Sequence, residues 1–172
     1  MVELRVAEPS EAAAIAALHT RTTRFAYAEI FPPEAPPPTL EDLIDDWTTR
    51  LTDPSTRVLV AEVDGVLVGV VAAGSLEGEG HLSRLHVDPD LWGRGIGRAL
   101  YDRCVAEFEG SGTSVVTLWV LERNVRARSW YERLGWTDTG RRNPVYEPAG
   151  ICDAVYRLTL DSRSTASDFS PA

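Results

Sequence analysis

Residues 85–100 read Leu-His-Val-Asp-Pro-Asp-Leu-Trp-Gly-Arg-Gly-Ile-Gly-Arg-Ala-Leu, and few folds accommodate that order. The run from His81 to Val87 reads as a strand. It stops at Asp88-Pro89, because proline cannot continue a hydrogen-bonded ladder. Alternate glycines, Gly93, Gly95 and Gly97, then open a helix whose Ile96, Leu100, Cys104 and Phe108 recur at i, i+4 spacing. Glycine takes backbone dihedrals closed to other residues and lets a ligand approach closely. The first N–H groups of a helix lack intrahelical partners and lie at the positive end of its dipole. A strand–glycine–helix junction therefore suits a phosphate group. Two common phosphate patterns are excluded: there is no lysine for a Walker loop, and the third Rossmann glycine would fall on Arg98. An ordinary packing turn stays open as the alternative.

The rest of the chain supplies the partners of this junction. Residues 2–6 alternate as a short strand, and Ser10 is a plausible N-cap for a helix carrying Ile15, Leu18 and Phe25. The proline-rich stretch from Phe31 to Pro38 reads as a stiff surface loop. Thr39 and Asp42 form a capping box for a helix with Leu40, Leu43, Ile44, Trp47 and Leu51 on one face. Val58–Val63 and Val66–Ala73 flank Asp64-Gly65, a two-residue hairpin signal. Ser114–Val120 is a strand; Asn124 caps a helix that Gly135 ends; two more strands follow, the second over Ala154–Leu160. Hairpins followed by a βαβ crossover place the chain in the α+β or mixed α/β class. We expect one domain over residues 1–161 and a disordered polar tail over 162–172.

Charge and cysteine content narrow the function. The net charge is −9 and all 17 basic residues are arginine, so a nucleic-acid surface would need a strong local basic patch. No apolar run is long enough to span a membrane and no leader pattern is visible at Met1, so we expect a cytoplasmic protein without membrane partners. Cys104 and Cys152 read as buried free thiols, and His and Cys do not cluster as metal ligands, so no metal is expected.

The stretch from Leu85 to Leu100 resembles the acyl-CoA loop of the GCN5-related N-acetyltransferase (GNAT) superfamily, Arg/Gln-x-x-Gly-x-Gly/Ala. Gly95-Ile96-Gly97 fit its last three positions, while Trp92 replaces the Arg/Gln. Downstream, Asn124 to Trp136 resembles the family's Asn-x-x-Ala…Tyr-Glu-Lys-x-Gly-Phe segment. The resemblance covers roughly residues 2–160 and is weak before residue 57. It implies a mixed, mostly antiparallel central sheet flanked by helices, the GNAT-like acyl-CoA N-acyltransferase fold. It also implies acetyl-CoA as cosubstrate. By resemblance, the backbone of Leu85 and Val87 pairs with the pantetheine arm, and the amides of Gly93, Arg94, Gly95, Ile96, Gly97 and Arg98 hold the pyrophosphate. Asn124 hydrogen-bonds the arm, although a cap alone explains it too; Tyr131 faces the sulfur, although a core aromatic explains it too. Arg94, Arg98 and Arg133 would offset the acidic chain.

The resemblance implies direct attack of an amine on the thioester in a ternary complex. Val87 N–H would stabilise the oxyanion and Tyr131 would act as general acid. Related enzymes often carry a glutamate six residues before the valine; that position is His81 here, a base titrating near physiological pH. Plain alternation puts His81, Ser83, Leu85 and Val87 on one face unless a bulge intervenes; Glu79 and His86 are the competing bases. Glu29, Glu34, Glu77 and Glu79 suggest an acidic mouth and a cationic small-molecule amine as acceptor. A homodimer is a family habit. The competing reading is a non-catalytic acyl-CoA-binding sensor or interaction module.

Overall fold

Asp64 and Gly65 both adopt positive φ, 52° and 75°, so the turn they form folds the chain back into a tight hairpin at the place their sequence demands. A computed structural model describes residues 1–160; the domain boundary at 161 and the tail expected over 162–172 lie outside the described residues. The elements follow the expected order: β1 (Val2–Val6), α1 (Ala12–Ala26), α2 (Leu40–Thr52), β2 (Arg57–Val63), β3 (Val66–Leu76), β4 (Glu79–Val87), α3 (Ile96–Gly110), β5 (Val115–Leu121), α4 (Val125–Arg133), β6 (Thr137–Tyr146) and β7 (Ile151–Thr159). The seven strands form one sheet in the order β1-β2-β3-β4-β5-β7-β6. Every pairing is antiparallel except β4 with β5, the pair joined by the α3 crossover.

Strand alternation sorts the side chains into two cores. Val58, Val60, Val70 and Ala72 meet Ile15, Leu18, Leu43 and Trp47 of α1 and α2 on one face. Leu59, Ala61, Val71, Leu82, Val116 and Leu118 meet α3 and α4 on the other. The Thr39 box forms as read, with Asp42 N–H donating to Thr39 Oγ1 at 3.1 Å and Thr39 N–H to Asp42 Oδ2 at 2.9 Å. Three local readings need correction. Ser10 lies inside a short 3-10 turn, and the Glu11 carboxylate instead accepts the Glu8 N–H at 2.7 Å. Phe25 and Leu40 are exposed rather than core, because their helices turn those positions away from the sheet. Cys104 is buried, but Cys152 is only partly so, with Sγ 3.2 Å from Glu122 Oε2.

Gly69 of β3 lets α3 lie close against the sheet. A Cβ there would sit 2.8 Å from Leu100 Cδ1 and 3.2 Å from Ile96 Cγ2, both in side chains sealed in the core. Gly69→Ala should therefore destabilise the fold by about 1–3 kcal/mol through overpacking. Chemical denaturation reads this directly, and an unchanged midpoint would mean α3 can shift away without cost.

Candidate active site

The parallel ladder between β4 and β5 spans only Gly80↔Val116, His81↔Thr117 and Leu82↔Leu118. β4 then continues to Val87 and β5 to Leu121 with no pairing between them. The divergence begins where β4 carries a register shift against β3: Ala73 faces Leu82 and Ala72 faces Arg84, leaving Ser83 as the extra residue. A bulge bends its strand and ends regular pairing. It also corrects the facing read from plain alternation. Leu82, Leu85 and Val87 pack with the α3 side, whereas His81, Arg84 and His86 look toward α1 and α2.

Backbone direction in the split follows from one bond. Asp88 N–H donates to Val68 O at 2.8 Å, so alternation turns the peptide groups of Val87 and Leu85 away from β3 and into the split. The Val87 carbonyl accepts from Trp92 Nε1 at 2.7 Å and from Thr22 Oγ1 at 3.3 Å. Beyond it, Asp88 caps a 3-10 turn and Gly93 and Gly95 both take left-handed backbone, φ 81° and 83°. No atom lies within 4 Å of a Cβ built on either, so conformation rather than crowding demands glycine there. Gly95 caps α3 without a side-chain bond, which leaves the opening N–H groups facing outward. Ile96 is core by its side chain, so only its backbone lines the turn. Arg98 is tied to Asp102 at 2.7 Å, while no ion pair engages Arg94 among the described residues.

Across the split, Asn124 Oδ1 accepts from Ala127 N–H at 3.2 Å and starts α4. That uses its oxygen and leaves its NH₂ for another acceptor. Tyr131 is buried against Trp130 and Trp136. Burial pushes its phenol well above the ordinary tyrosine range, and Tyr27, Tyr101 and Cys104 add to this, so it holds its proton at neutral pH. Tyr27, just beyond α1, packs against the cluster of Ile30, Leu121 and Ile151, and its own phenol is raised by burial and by Asp153, with Arg84 opposing.

His81 lies in the paired part of β4, Nδ1 3.0 Å from Thr117 Oγ1 and its ring edge-on to Trp119 at 5.3 Å. Burial, then Arg50 and Arg84, push it down to about 4. That corrects the expectation of a base titrating near physiological pH: the ring is neutral at pH 7 but weakly basic. Of the expected acidic mouth, Glu79 is bonded to Arg157 at 3.0 Å and Glu77 lies 3.8 Å from Arg141, so arginines offset both. Charges not singled out in the sequence line the α1/α2 side instead: Asp46, Arg50, Arg84 and Asp153. Asp46 and Arg50 bond at 2.9 Å one helical turn apart, the one signal visible in sequence. Arg84 was hidden by the bulge.

A sequence model of the acetyltransferase (GNAT) family matches residues 20–136. The chain belongs to this family. It is 38% identical over 107 residues to a mycothiol acetyltransferase of Beutenbergia cavernae, covering 61% of this chain and 36% of that protein. A second mycothiol acetyltransferase, from Propionibacterium freudenreichii, is 33% identical over 125 residues, 68% of this chain and 38% of that one. The chain thus spans under two fifths of the length of these relatives. Among solved structures, PaiA N-acetyltransferase from Thermoplasma acidophilum in complex with coenzyme A superposes with a TM-score of 0.76 at 16% identity, covering 93% and 99% of the two chains. The Escherichia coli ribosomal-protein-S18-alanine N-acetyltransferase gives 0.71 at 22%, covering both chains fully. These likenesses concern the fold.

Within the GNAT pattern, Trp92 is the departure, and its contacts account for it. Its indole N–H ties the loop to the end of β4, the Arg126 guanidinium of α4 lies 3.8 Å from its ring centroid, and Phe25 of α1 meets its edge at 5.2 Å. One side chain so joins the loop to three elements around the split. No helix among the described residues is long and apolar enough to cross a membrane.

Beneath the loop, His19 and His86 stack at 4.1 Å, and Trp47 Nε1 donates to His19 Nδ1 at 3.2 Å. Burial first, then nearby positive charge, pushes His19 down to about 4 and His86 well below its usual value. The unfolded chain protonates such residues below about 6.5, so below that pH it binds protons that the fold refuses. Stability should therefore fall as pH drops from about 6.5 toward 4, by up to roughly 1.4 kcal/mol per pH unit for each histidine. Urea midpoints at pH 7 and pH 5 test this; equal midpoints would show that the pair is not held neutral.

Proposed function

We propose that this protein transfers an acetyl group from acetyl-CoA to a primary amine of a small molecule by direct attack in a ternary complex. The observation that carries the reading is the split itself: an unpaired β4 edge that runs straight into left-handed glycines and an open helix N-terminus. The fit to CoA rests on that shape. The Leu85 peptide groups and the Val87 N–H would face the pantetheine arm and its thioester as an added strand, the Val87 carbonyl being held by Trp92 and Thr22. Gly93, Arg94, Gly95, Ile96, Gly97 and Arg98 would offer backbone N–H groups to the pyrophosphate, with the free Arg94 side chain adding charge. Asn124 would donate from its amide to the arm. The mycothiol acetyltransferases and the CoA-bound PaiA structure support the acetyl donor and, in the first case, a small acceptor.

Bound acetyl-CoA supplies an activated thioester. The chain supplies the rest. Val87 N–H would donate to the acyl oxygen as it gains charge. The neutral His81 ring would take the proton shed by the attacking amine, directly or through water. Tyr131, protonated by its surroundings, would give its proton to the departing sulfur.

Three variants test these roles. Gly95→Val places a β-branched side chain at φ 83° and should abolish measurable CoA binding by calorimetry while the protein stays folded; full affinity would remove the loop from the site. Tyr131→Phe keeps the ring and should cost about 10²–10⁴-fold in kcat. Thiol release at the wild-type rate would exclude Tyr131 as the acid. Because His81 protonates only at about 4, any acidic limb that it causes should lie there, with activity lost as pH falls through that value. His81→Gln should lower kcat/KM and abolish the limb; a limb that survives with normal rates belongs to another group. A panel of amines assayed for thiol release separates turnover from mere acyl-CoA binding.

A further inference from the structure

Three buried side-chain nitrogens have no hydrogen-bond partner among the described residues: Arg84 Nε, His86 Nε2 and Asn143 Nδ2. All three belong to the α1/α2 face of the sheet, Arg84 and His86 on β4 at the split and Asn143 on the edge strand β6. Arg84 and His86 look toward α1 and α2. Asn143 of β6 stands directly opposite Asp153 of β7, so the two share a face, and Ala154 and Tyr156 point the other way into the α3 core. Native interiors rarely leave such groups unmet, and of the three Arg84 alone carries a full charge at the split.

Arg84 has the capacity to do more than it does. A guanidinium carries five N–H donors. Here Nη1 donates to its neighbour Ser83 O at 2.9 Å, Nη2 lies 3.6 Å from Asp46, and Nε has nothing. Asp46 Oδ2 is already committed to Arg50 Nε at 2.9 Å. Arg84 is therefore the more loosely paired of the two arginines that share Asp46. Its counterweight is Asp153, whose carboxyl is partly buried and accepts no side-chain hydrogen bond among the described residues. Arg84 of β4 and Asp153 of β7 stand on the same face with β5 between them, and form no ion pair among the described residues. Two opposite charges are thus held apart on the acceptor side of the split, beside Tyr27.

We propose that the acceptor is a zwitterion of the α-amino acid type, its carboxylate seated on Arg84 and its amino group drawn to Asp153. The planar guanidinium fork matches a carboxylate. Asp46 and Asp153 stand against a doubly charged phosphate in the same place. A simple cation would meet Asp153 but leave the spare Arg84 donors unused, whereas a zwitterion enters without unbalancing the site. This replaces the cationic acceptor suggested by net charge. It rests on the acetyl-transfer reading of the same cleft.

The test compares, on the wild-type protein, a set of α-amino acids with their amides and their decarboxylated amines. Thiol release from acetyl-CoA should favour at least one acid over both its relatives by about 10–100-fold in kcat/KM, the scale of a charged hydrogen-bonded contact. Arg84→Gln should erase that preference by raising KM for the acid while leaving KM for acetyl-CoA unchanged; Arg84→Lys should restore part of it. Calorimetry of the same compounds on CoA-loaded protein gives a readout that needs no turnover. Acids binding and reacting no better than their amides would overturn the zwitterion proposal and leave acetyl transfer standing. Tighter binding of acids with no thiol release from any amine would sink the transferase reading instead, while upholding the carboxylate seat.

Discussion

The hydrogen-bond ladder between β4 and β5 stops after Leu82, and the site follows from that interruption. A parallel pair in the middle of a sheet would ordinarily zip to its end, since every unpaired peptide group there costs free energy. Ser83, the extra residue opposite β3, bends β4 before zipping can continue. The result is an open edge inside the sheet. Tyr131 packs in the α3-side core and Tyr27 against the cluster of Leu121 and Ile151.

Such an opening weakens the sheet, and its surroundings show how it is braced. Trp92 fastens the loop after β4 to the Val87 carbonyl, to α4 through Arg126 and to α1 through Phe25. The stacked His19 and His86 rings fill the space behind β4 with neutral polar groups instead of aliphatic ones. Gly69 lets α3 press directly onto β3. These contacts connect the two halves where the ladder does not.

The same bulge decides the chemistry available on each face. With uniform alternation, His81 and Val87 would share a face and Arg84 would point to the α3 core. The extra residue reverses this, so a histidine, an arginine and a second histidine of β4 all look toward α1 and α2. Burial among arginines then makes His81 a far weaker base than its type suggests. Under the proposed transfer, the acceptor therefore meets a balanced set of fixed charges, with Asp46 and Arg50 on α2 and Asp153 on β7 completing it.

Local signals in the sequence were enough for the order of elements, the Asp64-Gly65 hairpin, the Thr39 cap, the Asn124 cap and the glycine turn before α3. Each depends on residues within a turn or two of one another, where backbone dihedrals and short-range bonds are decisive. Motif resemblance added the family, since the loop and the Asn124–Trp136 segment stand in order. Facing beyond Ser83, the depressed His81, the compensation of Glu77 and Glu79 by distant arginines and the placing of Arg84 and Asp153 on one face could not be read this way. A bulge is set by how one strand registers against another, and a charge by what is buried beside it. Both depend on residues far apart in the chain, and only the folded sheet brings them together.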